Sequence, residues 1–327
     1  MDTLHPATYL VTGTNRRPCK DRKVATARNS PPRELETVLD FVRYAVTRYH
    51  EGKVAFGQGT DDPVEEAIFI VFEALGLPIN RVDSFLPARL TADERRRVFA
   101  LIDKRVRKRI PAAYLVNRAY LQGIPFYVDE RVIVPRSYIA ELLFGDLFSG
   151  EAPLIDPASV TRVLDLCTGS GCLAILAAHI FPNAQVDAVE ISKEALQVAA
   201  INVADHGLKD RITLLKGDLF KPVGDAVYDL IISNPPYVDA RAVAALPKEF
   251  TYEPRGALAA GRDGLDIVRR ILTEAPAHLS PDGGLLCEIG RGRKLLEQAY
   301  PEMDFLWLDT AESTGEVFWI TAAALQG

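Results

Sequence analysis

Three short segments of this 327-residue chain carry residue types suited to group transfer. The most informative is Ser233-Asn234-Pro235-Pro236-Tyr237. Pro235 and Pro236 lack an N–H and hold φ fixed, so the chain there is rigid. Pro235 also restricts Asn234. The result is a stiff platform with exposed carbonyls. The Asn234 side-chain oxygen and the Pro235 carbonyl can each accept a hydrogen bond from one substrate NH2 group. Tyr237 can lie against the flat face of an amide or a base. An amide nitrogen is a poor nucleophile because its lone pair is delocalised. Two fixed acceptors point that lone pair at an electrophilic carbon and stabilise the positive charge that develops on nitrogen. No histidine, cysteine or metal is required.

The other two segments are glycine-rich or acidic. Asp165-Leu166-Cys167-Thr168-Gly169-Ser170-Gly171 has two glycines that allow a sharp turn and close approach to a ligand. It is not the GxGxxG of a dinucleotide site, and it has no lysine for a phosphate-gripping loop. Asp165 either orients this turn or meets a cationic ligand end. Glu190, followed by Ile191, can accept hydrogen bonds from both hydroxyls of a ribose. Asp218 lies where an adenine amino group can be read, with Leu219 and Phe220 beside the base. The plain alternative for each carboxylate is a helix cap or a solvated strand end. Their recurrence at successive strand ends favours one shared pocket.

The elements that must position these residues alternate from Thr161 onward. "RVLDLC", "AQVDAVEI", "RITLLKGD", "VYDLIIS" and "GGLLCEIG" read as strands, and "DFLWLDT" and "EVFWIT" as two more. "CLAILAAHIF", "KEALQVAAINVADHG" and "GLDIVRRILTEAPAHL" read as intervening helices. This rhythm predicts a mostly parallel sheet with helices on both faces, and ligands at the carboxyl ends of its strands. Ahead of it, residues 34–118 read as a helical domain. Leu35, Val38, Leu39, Val42, Ala45, Val46 and Tyr49 recur at helical spacing. Asp61 or Asp62 caps a second helix that has Pro63 in its first turn and ends at Gly76. Thr91 and Glu94 form a capping box on a third, which stops before Pro111. Residues 119–150 read as a connector: a hairpin in "YLQGIPFYVDERVIVP", then a helix capped by Ser137. Residues 151–327 form the α/β domain. Residues 1–33 read as a disordered basic tail, with seven Lys and Arg between Arg16 and Arg33.

Bulk properties exclude several classes. There is no apolar run of membrane-spanning length and no secretory signal pattern. The four cysteines, Cys19, Cys167, Cys172 and Cys287, form no CxxC pair, which points to a reducing cytoplasm and no metal site. The net charge of -6 is uneven. Residues 1–118 carry 21 Lys and Arg against 15 Asp and Glu, and residues 119–327 carry 17 against 29. An acidic catalytic half argues against a generic grip on nucleic acid. The basic front half either docks onto an RNA-rich particle or is a solvated helix surface.

"DLCTGSG", "VEIS", "GDLF" and "SNPPYVDA" together resemble class I S-adenosylmethionine-dependent methyltransferases that act on exocyclic or amide nitrogens. "FGQGTDDPVEEA", "IPAAYLVNRAYLQGIPFYVDERVIVPRS" and "LPKEFTYEPRGALAAGRDGLDIVRRIL" narrow the likeness to the protein-glutamine N5-methyltransferase family. "VPRSYIAELL" and "DLCTGSGCLAI" are more similar to the branch acting on ribosomal protein L3 than to that acting on peptide chain release factors. The resemblance spans roughly residues 34–322. It implies a seven-stranded mostly parallel sheet behind a helical substrate-recognition domain. S-adenosyl-L-methionine would be held by Asp165, Cys167, Thr168, Gly169, Ser170, Gly171, Glu190, Ile191, Asp218, Leu219 and Asn234. Asn234, Pro235, Pro236 and Tyr237 would hold the glutamine, with Pro135 and Arg136 in the pocket wall. The substrate would be ribosomal protein L3, free or in an assembly intermediate, with incidental rRNA contact through the basic half. Release-factor glutamine methylation, N-methylation of a nucleic-acid base, and a silent scaffold are the competing readings. "EIGRGR" and "DTAESTGEVF" depart from the family pattern and are expected to alter the sheet edge or pocket rim.

Overall fold

The computed structural model describes residues 30–149, 153–311 and 313–326. The expected disordered tail lies, up to residue 29, outside the described residues. Three long helices open the described residues: α1 (Val38–Gly52), α2 (Pro63–Leu75) and α3 (Ala92–Lys108). Their ends follow local chemistry. Thr37 and Asp40 form a reciprocal capping box on α1, and Thr91 and Glu94 form the expected one on α3. Asp62 caps α2, Pro63 occupies its first turn and Gly76 closes it at φ 66.

The Thr37 cap corrects the expected first helix. Leu35 is buried but precedes the helix, and Leu39 is 51% exposed. Phe41 takes the core-facing position instead and is wholly buried. The three helices share one apolar core that includes Phe41, Tyr49, Ile70, Phe72, Val98 and Ile102. Inside it, Arg105 donates to both carboxylate oxygens of Glu66 at 2.8 and 2.9 Å.

A short hairpin follows, β1 (Ala119–Leu121) with β2 (Ile124–Phe126). It is smaller than expected, because residues 127–137 form no strand. Their backbone groups bond to side chains of the catalytic half instead. The Tyr127 N–H donates to Asn202 Oδ1 at 2.7 Å and the Val134 N–H to Glu253 Oε1 at 3.0 Å. Ser137 then caps α4 (Tyr138–Phe144), accepting from the Ile139 N–H.

The remaining chain builds one sheet from β3 (Arg162–Leu166), β4 (Gln185–Glu190), β5 (Ile212–Lys216), β6 (Tyr228–Ser233), β7 (Leu279–Glu288), β8 (Leu306–Asp309) and β9 (Thr314–Thr321). The spatial order is β5-β4-β3-β6-β7-β9-β8. Every pairing is parallel except those of β9, which is antiparallel to both β7 and β8. This is the seven-stranded, mostly parallel sheet that the resemblance implies. Helices α5 (Cys172–Ile180), α6 (Lys193–Asp205) and α7 (Asp266–Glu274) cover it. Two separate apolar clusters, one with Leu176, Val186 and Trp319 and the other with Leu164, Leu272 and Phe318, fit a sheet buried on both faces. The order reverses between β3 and β6, which opens a crevice beyond their carboxyl ends. Among the described residues, no helix is long and apolar enough to cross a membrane.

The two segments that depart from the family pattern meet where β7 runs beside β9, inside the sheet rather than at its edge. The Ile289 N–H donates to the Glu316 carbonyl at 2.9 Å. Arg293 lies over the Trp307 ring, 4.9 Å from its centroid.

Candidate functional site

The crevice is floored by the strand ends. Ser233 closes β6 and donates from Oγ to the Leu166 carbonyl at 2.9 Å, tying β6 to β3 across the reversal. The glycine turn starts from there. Cys167, Gly169 and Gly171 all have positive φ, at 61°, 57° and 79°. For Cys167 that conformation is strained, which only a turn fixed by its surroundings sustains.

Asp165 supplies much of that fixing. Its Oδ2 accepts from the Thr168 hydroxyl and, at 3.0 Å, from the Ala174 N–H. Of the two roles expected for Asp165, this geometry is the turn-orienting one: the carboxyl is wholly buried against its own loop. Burial pushes it up to about 7, against those two hydrogen bonds. Its Oδ1 is buried without a partner. Ser170 is also buried, and its carbonyl accepts from Asn202 Nδ2 at 2.8 Å. Asn202 thereby joins this turn to the connector at Tyr127.

Glu190 stands half-buried at the end of β4. Its two oxygens accept from the Gly169 N–H at 3.0 Å and the Ser192 N–H at 2.9 Å. The carboxylate thus ties the first two loops together. Ile191, by contrast, is 67% exposed and packs against little. Asp218, beyond β5, is clasped by Arg270, at 2.9 and 3.0 Å, and by Lys221 at 2.8 Å. Arg270 above all, then Lys221, holds its carboxyl down to about 2. Leu219 is buried at a positive φ of 51°.

These features suit a ligand with hydroxyls and a flat ring. A Cβ built on Gly169 would meet nothing nearer than the Cys167 carbonyl at 4.0 Å, so the turn presents bare backbone. At Gly171 the built Cβ would sit 3.2 Å from Ala199, so that glycine serves close packing of the turn on α6. The orphaned Asp165 oxygen adds an acceptor beneath the turn.

The second half of the site is a cavity of about 170 Å³. Asn234, Pro235 and Tyr237 line it, together with Arg136, Phe250 and Leu258. Pro236 is half-buried beside them. Tyr237 is held firmly. Its hydroxyl donates to Glu288 Oε1 at 2.9 Å. Glu288 Oε2 in turn accepts from the Ser137 hydroxyl at 2.7 Å and the Tyr138 N–H at 3.0 Å. Glu288 is wholly buried, and burial pushes its carboxyl up to about 7. Burial and the neighbouring Glu288 raise the Tyr237 phenol well above its ordinary value. Two glycines complete the seat. A Cβ on Gly290 would fall 2.7 Å from the Tyr237 ring, and one on Gly264 would fall 2.4 Å from the Tyr237 carbonyl.

Arg136 lines the cavity as well. It clasps Glu253 through two bonds of 2.6 and 2.8 Å and lies over the Phe250 ring at 5.7 Å. Glu288, Glu253, Gly290 and Asn202 were not singled out by residue-level reading. Glu288 had a usable signal, because it ends the strand beside β6, where open α/β sheets place their ligands. Glu253 and Asn202 had none, since their partners are 117 and 75 positions away.

Comparison with known proteins places this geometry in a family. Residues 152–262 match the Methyltransferase small domain. A protein of Bradyrhizobium diazoefficiens named ribosomal protein uL3 glutamine methyltransferase is 63% identical over 89% of this chain and 92% of its own length. Proteins of the same name from Bordetella pertussis and Neisseria gonorrhoeae are 52% and 49% identical, each over 91% of this chain and 99% of their own length. The chain belongs to the ribosomal protein uL3 glutamine methyltransferase family.

Proposed function

We propose that this protein transfers a methyl group from S-adenosyl-L-methionine to the side-chain amide nitrogen, N5, of a glutamine in ribosomal protein uL3. The observation that carries this reading is the cavity lined by Asn234, Pro235 and Tyr237, the segment directly after β6, whose last residue Ser233 is bonded to Leu166 at the start of the glycine turn. It is small and lined by a rigid proline segment and two aromatic rings, Tyr237 and Phe250, which suits a planar amide.

The chain's residues divide the work. Gly169, in the turn with Cys167, Thr168, Ser170 and Gly171, would bring bare backbone to the cofactor, Glu190 would meet its ribose, and Asp218 with Leu219 would meet its base. The cofactor supplies an electrophilic methyl on a sulfonium. Asn234 Oδ1 and the Pro235 carbonyl accept from the two N–H groups of the glutamine NH2, which fixes the amide plane and so aims the nitrogen lone pair, normal to that plane, at the electrophilic carbon. As the bond to carbon forms, positive charge grows on nitrogen, and the same two acceptors stabilise it. Tyr237, pinned by Glu288, keeps the amide flat against Pro235. The proton lost from nitrogen leaves toward these acceptors and then to solvent. The helical region recognises uL3, free or in an assembly intermediate in the cytoplasm. Its basic helices then make incidental contact with rRNA.

The test uses labelled S-adenosyl-L-methionine with ribosomal material from cells lacking this protein. Mass spectrometry is expected to place one methyl on a uL3 glutamine. Label on a release factor or on RNA, with none on uL3, overturns the assignment.

A further inference from the structure

The segment Lys248–Tyr252, a short 3-10 stretch from the insertion after the Asn234 platform, touches three parts of the molecule within six residues. Glu249 is buried, and it points into the helical region. Its Oε1 accepts from the Ala55 N–H at 3.0 Å and from Arg109 at 3.1 Å, and Arg105 lies 3.7 Å away. Tyr252 donates its hydroxyl to the Lys108 carbonyl at 2.6 Å. Between these anchors, Phe250 lines the cavity. One residue further on, Glu253 clasps Arg136, which lines the same cavity. The loop between α1 and α2 also reaches this strap: a Cβ built on Gly57 would be 3.6 Å from Phe250 Cζ.

A surface strap of this kind has little reason to bury a carboxylate among two arginines of another region. Burying Glu249 costs desolvation that only those partners offset. The geometry therefore fixes where Phe250 can stand. We propose that Glu249 is a positioning residue through which the helical region sets the shape of the substrate cavity, acting on Phe250. The helical region then does more than dock the protein substrate. It holds one wall of the pocket that receives the reacting side chain.

Glu249→Gln keeps the shape of the side chain and removes its charge. Hydrogen exchange in the full chain is expected to quicken at least fivefold across residues 246–258 and to stay unchanged in β3 and β4. In transfer assays the KM for uL3 is expected to rise about tenfold, with the KM for S-adenosyl-L-methionine within twofold of normal. In a double-mutant cycle, adding Glu249→Gln to Phe250→Ala is expected to cost less than twofold more, because both act on one wall. Tyr252→Phe, which removes only one exposed anchor, is expected to show the same pattern at a smaller size, and it serves if Glu249→Gln does not fold. Unchanged exchange, an equal loss for both substrates, or multiplying effects in the cycle overturns the proposal. The activity arm rests on uL3 being the substrate. The exchange arm does not, so an inactive wild type would refute the substrate reading while the exchange still decides the strap.

Discussion

Gly290→Ala tests how tightly Tyr237 must be seated. The glycine has φ of 54°, and a Cβ there would lie 2.7 Å from Tyr237 Cε2 and 2.8 Å from Cδ2. Carbon atoms in contact sit near ~3.5–4.0 Å, so the ring must retreat by roughly 1 Å. It has nowhere easy to go. Its hydroxyl is held by Glu288 at 2.9 Å, and its carbonyl lies against Gly264. Left-handed backbone costs alanine about 1 kcal/mol, and overpacking a fixed site adds about 2 kcal/mol. We expect urea denaturation to show about 3 kcal/mol of lost stability, the sum of these two costs. A ring displaced this far is expected to lower the single-turnover transfer rate on the order of 100-fold. Cofactor affinity is expected to stay within a few-fold, since Gly290 touches Tyr237 and not the glycine turn. The control is the same substitution in a Tyr237→Ala background. There the clash is gone, and only the backbone cost of about 1 kcal/mol remains. Equal losses in both backgrounds, or transfer at the wild-type rate, would refute the reasoning.

Three other outcomes follow from the site. Asn234→Ala is expected to slow methyl transfer on the order of 100-fold, a loss of about 3 kcal/mol in the transition state, while keeping much of the cofactor affinity; normal single-turnover transfer would remove its assigned role. Arg136→Ala leaves the buried Glu253 carboxylate without its cation and is expected to cost about 3 kcal/mol in chemical denaturation. Restoration by Glu253→Gln in the same chain would support the pairing, and its absence would count against it. The third concerns pH. Asp165 and Glu288 have carboxyls raised to about 7 by burial, so at intermediate pH the folded state binds more protons than the unfolded one. Their contribution to stability is therefore full below the unfolded carboxyl range of about 4 and is lost as pH rises through about 7. Asp165→Asn should flatten the decline in urea midpoint between pH 5 and pH 8, and an unchanged slope would contradict the shift at Asp165.

Much of this protein was legible along the chain because the signals were local. The caps at Asp62 and Thr91 act over two or three residues, so α2 and α3 begin where their sequences said. The strand alternation and the glycine turn were equally local. The stiffness of the Asn234-Pro235-Pro236-Tyr237 platform needed no fold to be read, because proline stiffness is covalent. The first helix shows the limit of periodicity. Leu35 and Leu39 matched the helical pattern, but Thr37 fixed the start and Phe41 took the core.

Tertiary structure decided what supports that platform and the cavity beside it. Glu288 reaches Tyr237 across 51 positions, Glu253 reaches Arg136 across 117, and Glu249 reaches Arg109 across 140. It also decided that Asp165 braces its own turn and that Arg270 clasps Asp218. A carboxylate at a strand end looks the same in sequence whether it faces a ligand or a buried neighbour. Which of these it does depends on the groups that the fold brings within 3 Å, and on how much water they exclude.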